Sequence, residues 1–155
     1  PSSTSISCSW VIALIASYIY TKKKKISFLE HANILAPGLA VAGIVGRLGC
    51  FFGDIHLGKP TTLPWAIIQE SQLRHPVSLY YSIAFLITLI LIYIITRYKK
   101  NIEIFTLGIG YALTRFIAEF FVIGPRYLSL TLAQIIAIIV FIFALLAYLK
   151  HEKLM

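Results

Sequence analysis

Long apolar runs separated by short basic stretches dominate this chain, and they admit one class of fold. About twenty largely apolar residues are needed to carry a helix across the hydrocarbon core of a bilayer. Five segments approach that requirement, at about 7–20, 33–52, 77–96, 104–123 and 129–149, the first of them short. Lipid offers no hydrogen bonds, so a spanning segment must satisfy its own backbone, and a helix does so locally. Composition agrees: 59% of the residues are hydrophobic and only 13% charged, against about 25% charged in ordinary soluble domains. The expected fold is an all-α polytopic membrane protein of about five transmembrane helices, forming a single membrane domain over residues 1–155. No internal repeat or low-complexity region stands out. The chain opens on Pro1 with no basic n-region, so a secretory signal is not evident, and the missing initiator Met points to a fragment or to numbering from an internal point.

The formal net charge is +8, but its distribution argues for a membrane rather than nucleic acid. Lys and Arg gather between apolar runs, as at Lys22–Lys25 and at Arg97, Lys99 and Lys100. Placing residues 21–32, 97–103 and 150–155 on one side collects nine of the fourteen basic residues, while Lys59, Arg74 and Arg126 lie on the other. Short cytoplasmic loops are enriched in Lys and Arg. The N-terminus is therefore expected outside and the C-terminus in the cytoplasm. Cys8 and Cys50 have neither disulfide nor zinc spacing.

Three ionisable residues fall inside the expected spans: Arg47, Arg115 and Glu119. Such groups are costly in lipid and normally face a partner or a wet cavity. Tyr111, Arg115 and Glu119 recur every fourth residue, along one slowly drifting stripe of a helix. An Arg115–Glu119 pair that merely ties helices together is one reading. Two guanidiniums against one carboxylate nevertheless leave a positive surplus, which an anionic ligand would compensate. The planar donor fork of arginine suits phosphate, and phospholipids are the anions at hand. Glycines surround both arginines: Gly43, Gly46, Gly49, Gly53 and Gly58 about Arg47, and Gly108 and Gly110 ahead of Arg115. They permit close helix packing or a backbone turned toward a ligand.

The stretch 53–76 is the expected external loop and carries Asp54, His56, Lys59, Trp65, Glu70, Arg74 and His75. Trp65 after Pro64 suits the headgroup layer. His75, just before Pro76 and the third span, is placed to exchange protons near neutral pH or to anchor by hydrogen bonds. Asp54, His56 and His75 match no metal-ligand spacing, and Asp54 is the only aspartate, which argues against multi-aspartate metal transferases. No Gly-x-Ser-x-Gly or His-Glu-x-x-His motif is present. A transporter fits poorly, since no inverted repeat is visible.

Taken in order, several motifs resemble the prolipoprotein diacylglyceryl transferase family. They are Gly46-Arg47-Leu48-Gly49-Cys50-Phe51 running on to Gly58-Lys59-Pro60-Thr61, then Leu63-Pro64-Trp65 and Arg74-His75-Pro76 with Leu79-Tyr80. Gly110-Tyr111, Arg115-Phe116 and Glu119-Phe120 complete the set. Lys25 to Glu30 and Ala36-Pro37-Gly38 are similar to the stretch ahead of the family's arginine motif.

The resemblance implies transfer of diacylglyceryl from phosphatidylglycerol, or another anionic phospholipid, to the lipobox cysteine thiol of a prolipoprotein, with no metal or cofactor. It implies a bacterial cytoplasmic (inner) membrane location with the site toward the outer face. The expected catalytic residues are Arg47, Arg115, His75 and Glu119; Tyr111, Gly46, Gly49, Gly58, Asp54, His56 and Tyr80 are expected to bind substrate. The alternative is a non-catalytic relative that binds anionic phospholipid. The chain departs from the family pattern in four places. Cys50 replaces an Asn, Ile55 falls where an acid is expected beside Asp54, Tyr81 replaces a Glu, and a His-Gly-Gly stretch is absent around Ser5 to Ser9. The chain is also shorter than the family's usual length.

Overall fold

The computed structural model describes residues 16–55, 57–124 and 130–154. Most of the first expected span lies outside the described residues, as do His56 and Arg126. Residues 16–24 are helical. Four longer helices follow: α1 (Phe28–Phe52), α2 (Val77–Ile95), α3 (Glu103–Ala118) and α4 (Leu132–Leu154). A 3-10 turn, Glu119–Phe121, extends α3. All four are long and apolar enough to cross a membrane. Most of each span faces outward, as expected where lipid, not water, is the solvent.

Helix α1 packs against α2 and α3, and α4 lies chiefly on α3. Small residues set these approaches. A Cβ on Gly110 would fall 2.5 Å from Thr88 Oγ1, one on Gly43 2.9 Å from the Phe85 ring, and one on Gly108 3.3 Å from Ala144 Cβ. The close packing expected at Gly108 and Gly110 is therefore present. Ala36, Ala40, Phe85, Ile92 and Leu107 form the buried centre between α1, α2 and α3. A second cluster of Val77, Tyr81 and Ala118 closes the end where α2 begins and α3 stops.

Polar ties complete the bundle. Asn33 Oδ1 accepts the Ile104 N–H at 2.9 Å, capping the first turn of α3 from a neighbouring helix. Thr131 and Gln134 form a reciprocal capping box at the start of α4, with bonds of 2.9 and 3.2 Å. Gln134, only 1% exposed, also donates from Nε2 to the Phe116 carbonyl at 3.2 Å. Gln134→Leu keeps the apolar bulk but leaves the Thr131 N–H and the Phe116 carbonyl without their side-chain partner, and it is expected to cost about 2 kcal/mol. A lowered unfolding midpoint in detergent checks this; an unchanged midpoint would show that the box contributes nothing.

The loop expected at 53–76 contains a small hairpin, a departure from an all-helical reading. Strands β1 (Ile67–Gln69) and β2 (Gln72–Arg74) pair antiparallel. Glu70 and Ser71 between them both have positive φ, 49° and 63°, as a type I′ turn requires. Residues 57–61 stitch the hairpin to the end of α3. The Lys59 N–H donates to the Phe121 carbonyl at 2.8 Å, and the His75 N–H donates to the Lys59 carbonyl at 3.1 Å. Buried Arg74 donates to the Gln69 and Gly58 carbonyls at 3.3 and 3.2 Å. Backbone beside an apolar bundle must find partners, and this is where it finds them.

Candidate active site

The second turn of α2 brings two groups of polar residues together on different faces. Tyr80 and Tyr81 are consecutive, so helical geometry turns their side chains about 100° apart. Each anchors one group.

Around Tyr81 gather Arg47 from α1, Arg115 from α3 and Glu119 from the 3-10 turn. The Arg47 guanidinium carbon lies 4.2 Å from the centre of the Tyr81 ring, and that of Arg115 lies 5.6 Å from it. Arg115 Nη1 donates to the Tyr81 hydroxyl at 2.9 Å. That hydroxyl donates to Glu119 Oε2 across 3.5 Å, and Arg115 Nη2 is 3.6 Å from the same oxygen. The ion pair that residue spacing suggested is thus formed, with Glu119 only 7% exposed. It compensates one guanidinium. Among the described residues Arg47 has no carboxylate within salt-bridge distance. The surplus positive charge is therefore located on Arg47, which is half-buried. The backbone leaves room beside it, since a Cβ on Gly46 or Gly49 would meet nothing within 4 Å. One turn earlier, Ser82 Oγ donates to the Ile44 carbonyl at 3.2 Å and ties α1 to α2.

Around Tyr80 gather His75, Trp65 and Phe121. The Trp65 indole N–H donates to the Tyr80 hydroxyl at 2.9 Å, and that hydroxyl is 3.1 Å from His75 Nδ1. Since indole is a donor only, the tyrosine oxygen accepts from it. Its remaining capacity serves His75, either by giving Nδ1 a proton or by taking the Nδ1–H. The second arrangement leaves Nε2 with a lone pair. The His75 ring also lies 4.9 Å from that of Phe121. This group closes one end of an apolar groove of about 530 Å³ between α2 and α3, walled by Ile87, Leu91, Leu113 and Ile117.

The remaining residues singled out from sequence take other positions. Tyr111 packs on Phe85, with ring centres 6.2 Å apart, one turn from the Arg115–Glu119 pair. Asp54, at φ 48°, accepts from Gln69 Nε2 at 2.8 Å and braces the hairpin. Gly58 lies against the His75 backbone, where a Cβ would fall 2.1 Å from the carbonyl oxygen. His56 lies outside the described residues. Among the described residues no three of the His, Cys, Asp and Glu side chains gather as a metal site would need. Sequence reasoning noticed Tyr81 only as a departure from a motif; its place between two intramembrane arginines was not foreseen. Nor was the structural role of Arg74, whose burial appears only in the fold.

Comparison with known proteins bears on this arrangement. Residues 5–150 match the family model described as prolipoprotein diacylglyceryl transferase. A protein of Finegoldia magna named phosphatidylglycerol–prolipoprotein diacylglyceryl transferase is 34% identical over 147 residues, covering 92% of this chain and 59% of its own length. A protein of the same name from Aliarcobacter butzleri is 39% identical over 111 residues, covering 70% of this chain and 41% of its own. Another, from Campylobacter lari, is 35% identical over 152 residues, covering 90% and 55%. The chain spans about half the length of these curated relatives.

Proposed function

We propose that this chain, which belongs to the prolipoprotein diacylglyceryl transferase family, carries the lipid-handling part of a transferase that moves diacylglyceryl from phosphatidylglycerol to a prolipoprotein cysteine. It is a multi-pass membrane protein, and the bacterial inner membrane with the site near the outer face is the location we propose. The single observation that carries the reading is the intramembrane Arg47, uncompensated among the described residues and sharing one aromatic ring with the paired Arg115.

In the proposed reaction the acceptor thiol gives up its proton and its sulfur attacks the terminal glyceryl carbon. A carbon–sulfur bond forms, the carbon–oxygen bond to phosphate breaks, and glycerol phosphate departs with the electron pair. Negative charge grows on the phosphate as that bond breaks. Preorganised guanidiniums in a water-poor site stabilise such charge better than water does, because they need no reorganisation. Arg47 and Arg115 are assigned this task, with Glu119 holding Arg115 in place. The apolar groove beside Tyr80 suits an acyl chain. His75 is the proposed proton acceptor, through Nε2 when Nδ1–H is given to Tyr80. Gly46 and Gly49 supply room for the headgroup, and Tyr80, Tyr111, Asp54, His56 and Gly58 are proposed to contribute to substrate binding.

The test is direct. The native full-length protein, phosphatidylglycerol and a lipobox peptide are combined, and thioether-linked diacylglycerol is sought by mass spectrometry. Product supports the transferase; none, where a related enzyme works under the same conditions, leaves a lipid-binding relative. His75→Gln is expected to lower transfer by about a hundredfold. An unchanged rate would remove His75 from the mechanism.

A further inference from the structure

Tyr81 is among the most completely buried large side chains of the described structure, at 1% exposure. A phenol that deep in an apolar bundle needs a partner for its hydroxyl. It has two: it accepts from Arg115 at 2.9 Å and donates toward Glu119 at 3.5 Å. Its face is covered by the Arg47 guanidinium at 4.2 Å. The ring therefore touches both cations while remaining uncharged.

That neutrality has a physical consequence. A carboxylate between two guanidiniums would hold them by spending their charge. A phenol holds one by the quadrupole of its ring and the other by a neutral oxygen, and spends none. Arg47 is stacked and oriented, yet among the described residues it has no carboxylate within salt-bridge distance and no side-chain hydrogen bond to the protein. The flanking positions of Gly46 and Gly49 are open. A guanidinium held by its face keeps its edge donors available, and the edge is what binds phosphate bidentately.

We propose that Tyr81 is the positioning residue of this anion seat, fixing Arg47 by its ring and Arg115 by its hydroxyl so that both guanidiniums serve the phosphate of one anionic phospholipid. The kinetic part rests on the transferase reading; the lipid-binding part does not. Two variants separate the ring from the hydroxyl. Tyr81→Phe keeps the stack and loses the hydrogen bonds; Tyr81→Leu loses both.

The experiment measures retention of phosphatidylglycerol by the native full-length protein and each variant, purified in detergent and titrated with that lipid in native mass spectrometry, together with KM and kcat for transfer. Tyr81→Phe is expected to bind phosphatidylglycerol within about threefold of native, while kcat falls about tenfold as Arg115 keeps Glu119 but loses its hydrogen bond to the hydroxyl. Tyr81→Leu is expected to weaken binding and raise KM by about tenfold or more. Equal binding by the Leu and native proteins overturns the role of the ring, and an unchanged kcat in the Phe variant overturns that of the hydroxyl. If the Leu variant fails to fold, the Phe variant's split between KM and kcat still decides, because a general loss of packing would not spare binding while slowing turnover. If the native protein binds the lipid without transferring diacylglyceryl, the transferase reading fails and the binding comparison alone judges Tyr81.

Discussion

Arg47→Gln is expected to reduce diacylglyceryl transfer by about a thousandfold, which corresponds to about 4 kcal/mol of transition-state stabilisation, while the protein remains folded in the membrane. Glutamine keeps much of the side chain's length and a polar end, but it has neither the charge nor the donor fork. Arg47 is stacked on Tyr81 and, among the described residues, paired with no carboxylate. Its loss therefore strands no buried partner charge, and structural damage should be small. Arg115→Gln is a harsher change, since it leaves Glu119, 7% exposed, without the cation that lies 3.6 Å away. It should abolish transfer and also lower the unfolding midpoint, because an unpaired buried charge is costly. Arg47→Lys restores charge without the fork or the planar stack and should recover only part of the rate. Transfer assays on membranes with matched protein levels give the answer. Normal turnover by Arg47→Gln would show that the surplus charge has no catalytic use.

Gly58→Ala is the second large effect, and it acts through shape. A methyl group at this position would lie 2.1 Å from the His75 carbonyl oxygen and 2.9 Å from its carbon. Both are backbone atoms, held by the Lys59 to Phe121 and His75 to Lys59 hydrogen bonds at 2.8 and 3.1 Å, so neither can swing away as a side chain could. The expected cost is about 3 kcal/mol, near the upper end for overpacking, together with a displaced His75 and reduced transfer. Gly38→Ala is the matched control. It lies in α1 with nothing within 4 Å of the added carbon, and helix propensity predicts a gain of up to about 1 kcal/mol. Unfolding midpoints measured in the same detergent compare the two. Equal midpoints for Gly58→Ala and the native protein would mean that the loop does not hold His75 against residue 58.

Much of the fold is written in local patterns. Apolar runs of bilayer length specify α1 to α4 because hydrogen bonds within a helix and transfer into lipid depend on neighbouring residues alone. Bounds moved by a few residues: α1 begins at Phe28 rather than near Asn33, and the third long helix gives way to a 3-10 turn at Glu119. The hairpin was less legible. Its type I′ turn is built on Glu70-Ser71, without the Asn-Gly or Asp-Gly pair that announces such turns. Arg47 and Arg115 stood out because a charge inside a span is expensive enough to demand a reason. Tyr81 did not, since a tyrosine in an apolar helix costs little and signals nothing by itself.

Hydropathy and charge placement were thus sufficient to establish a helical membrane protein with two arginines and one glutamate inside its spans. Which residues meet around those arginines depended on rotation and depth among three helices. That register is set by packing between segments distant in sequence: Gly110 against Thr88, Gly43 against Phe85, Ser82 against Ile44. No local pattern encodes it, so only the tertiary structure could place Tyr81 beneath Arg47 and turn Tyr80, its neighbour in the chain, toward His75.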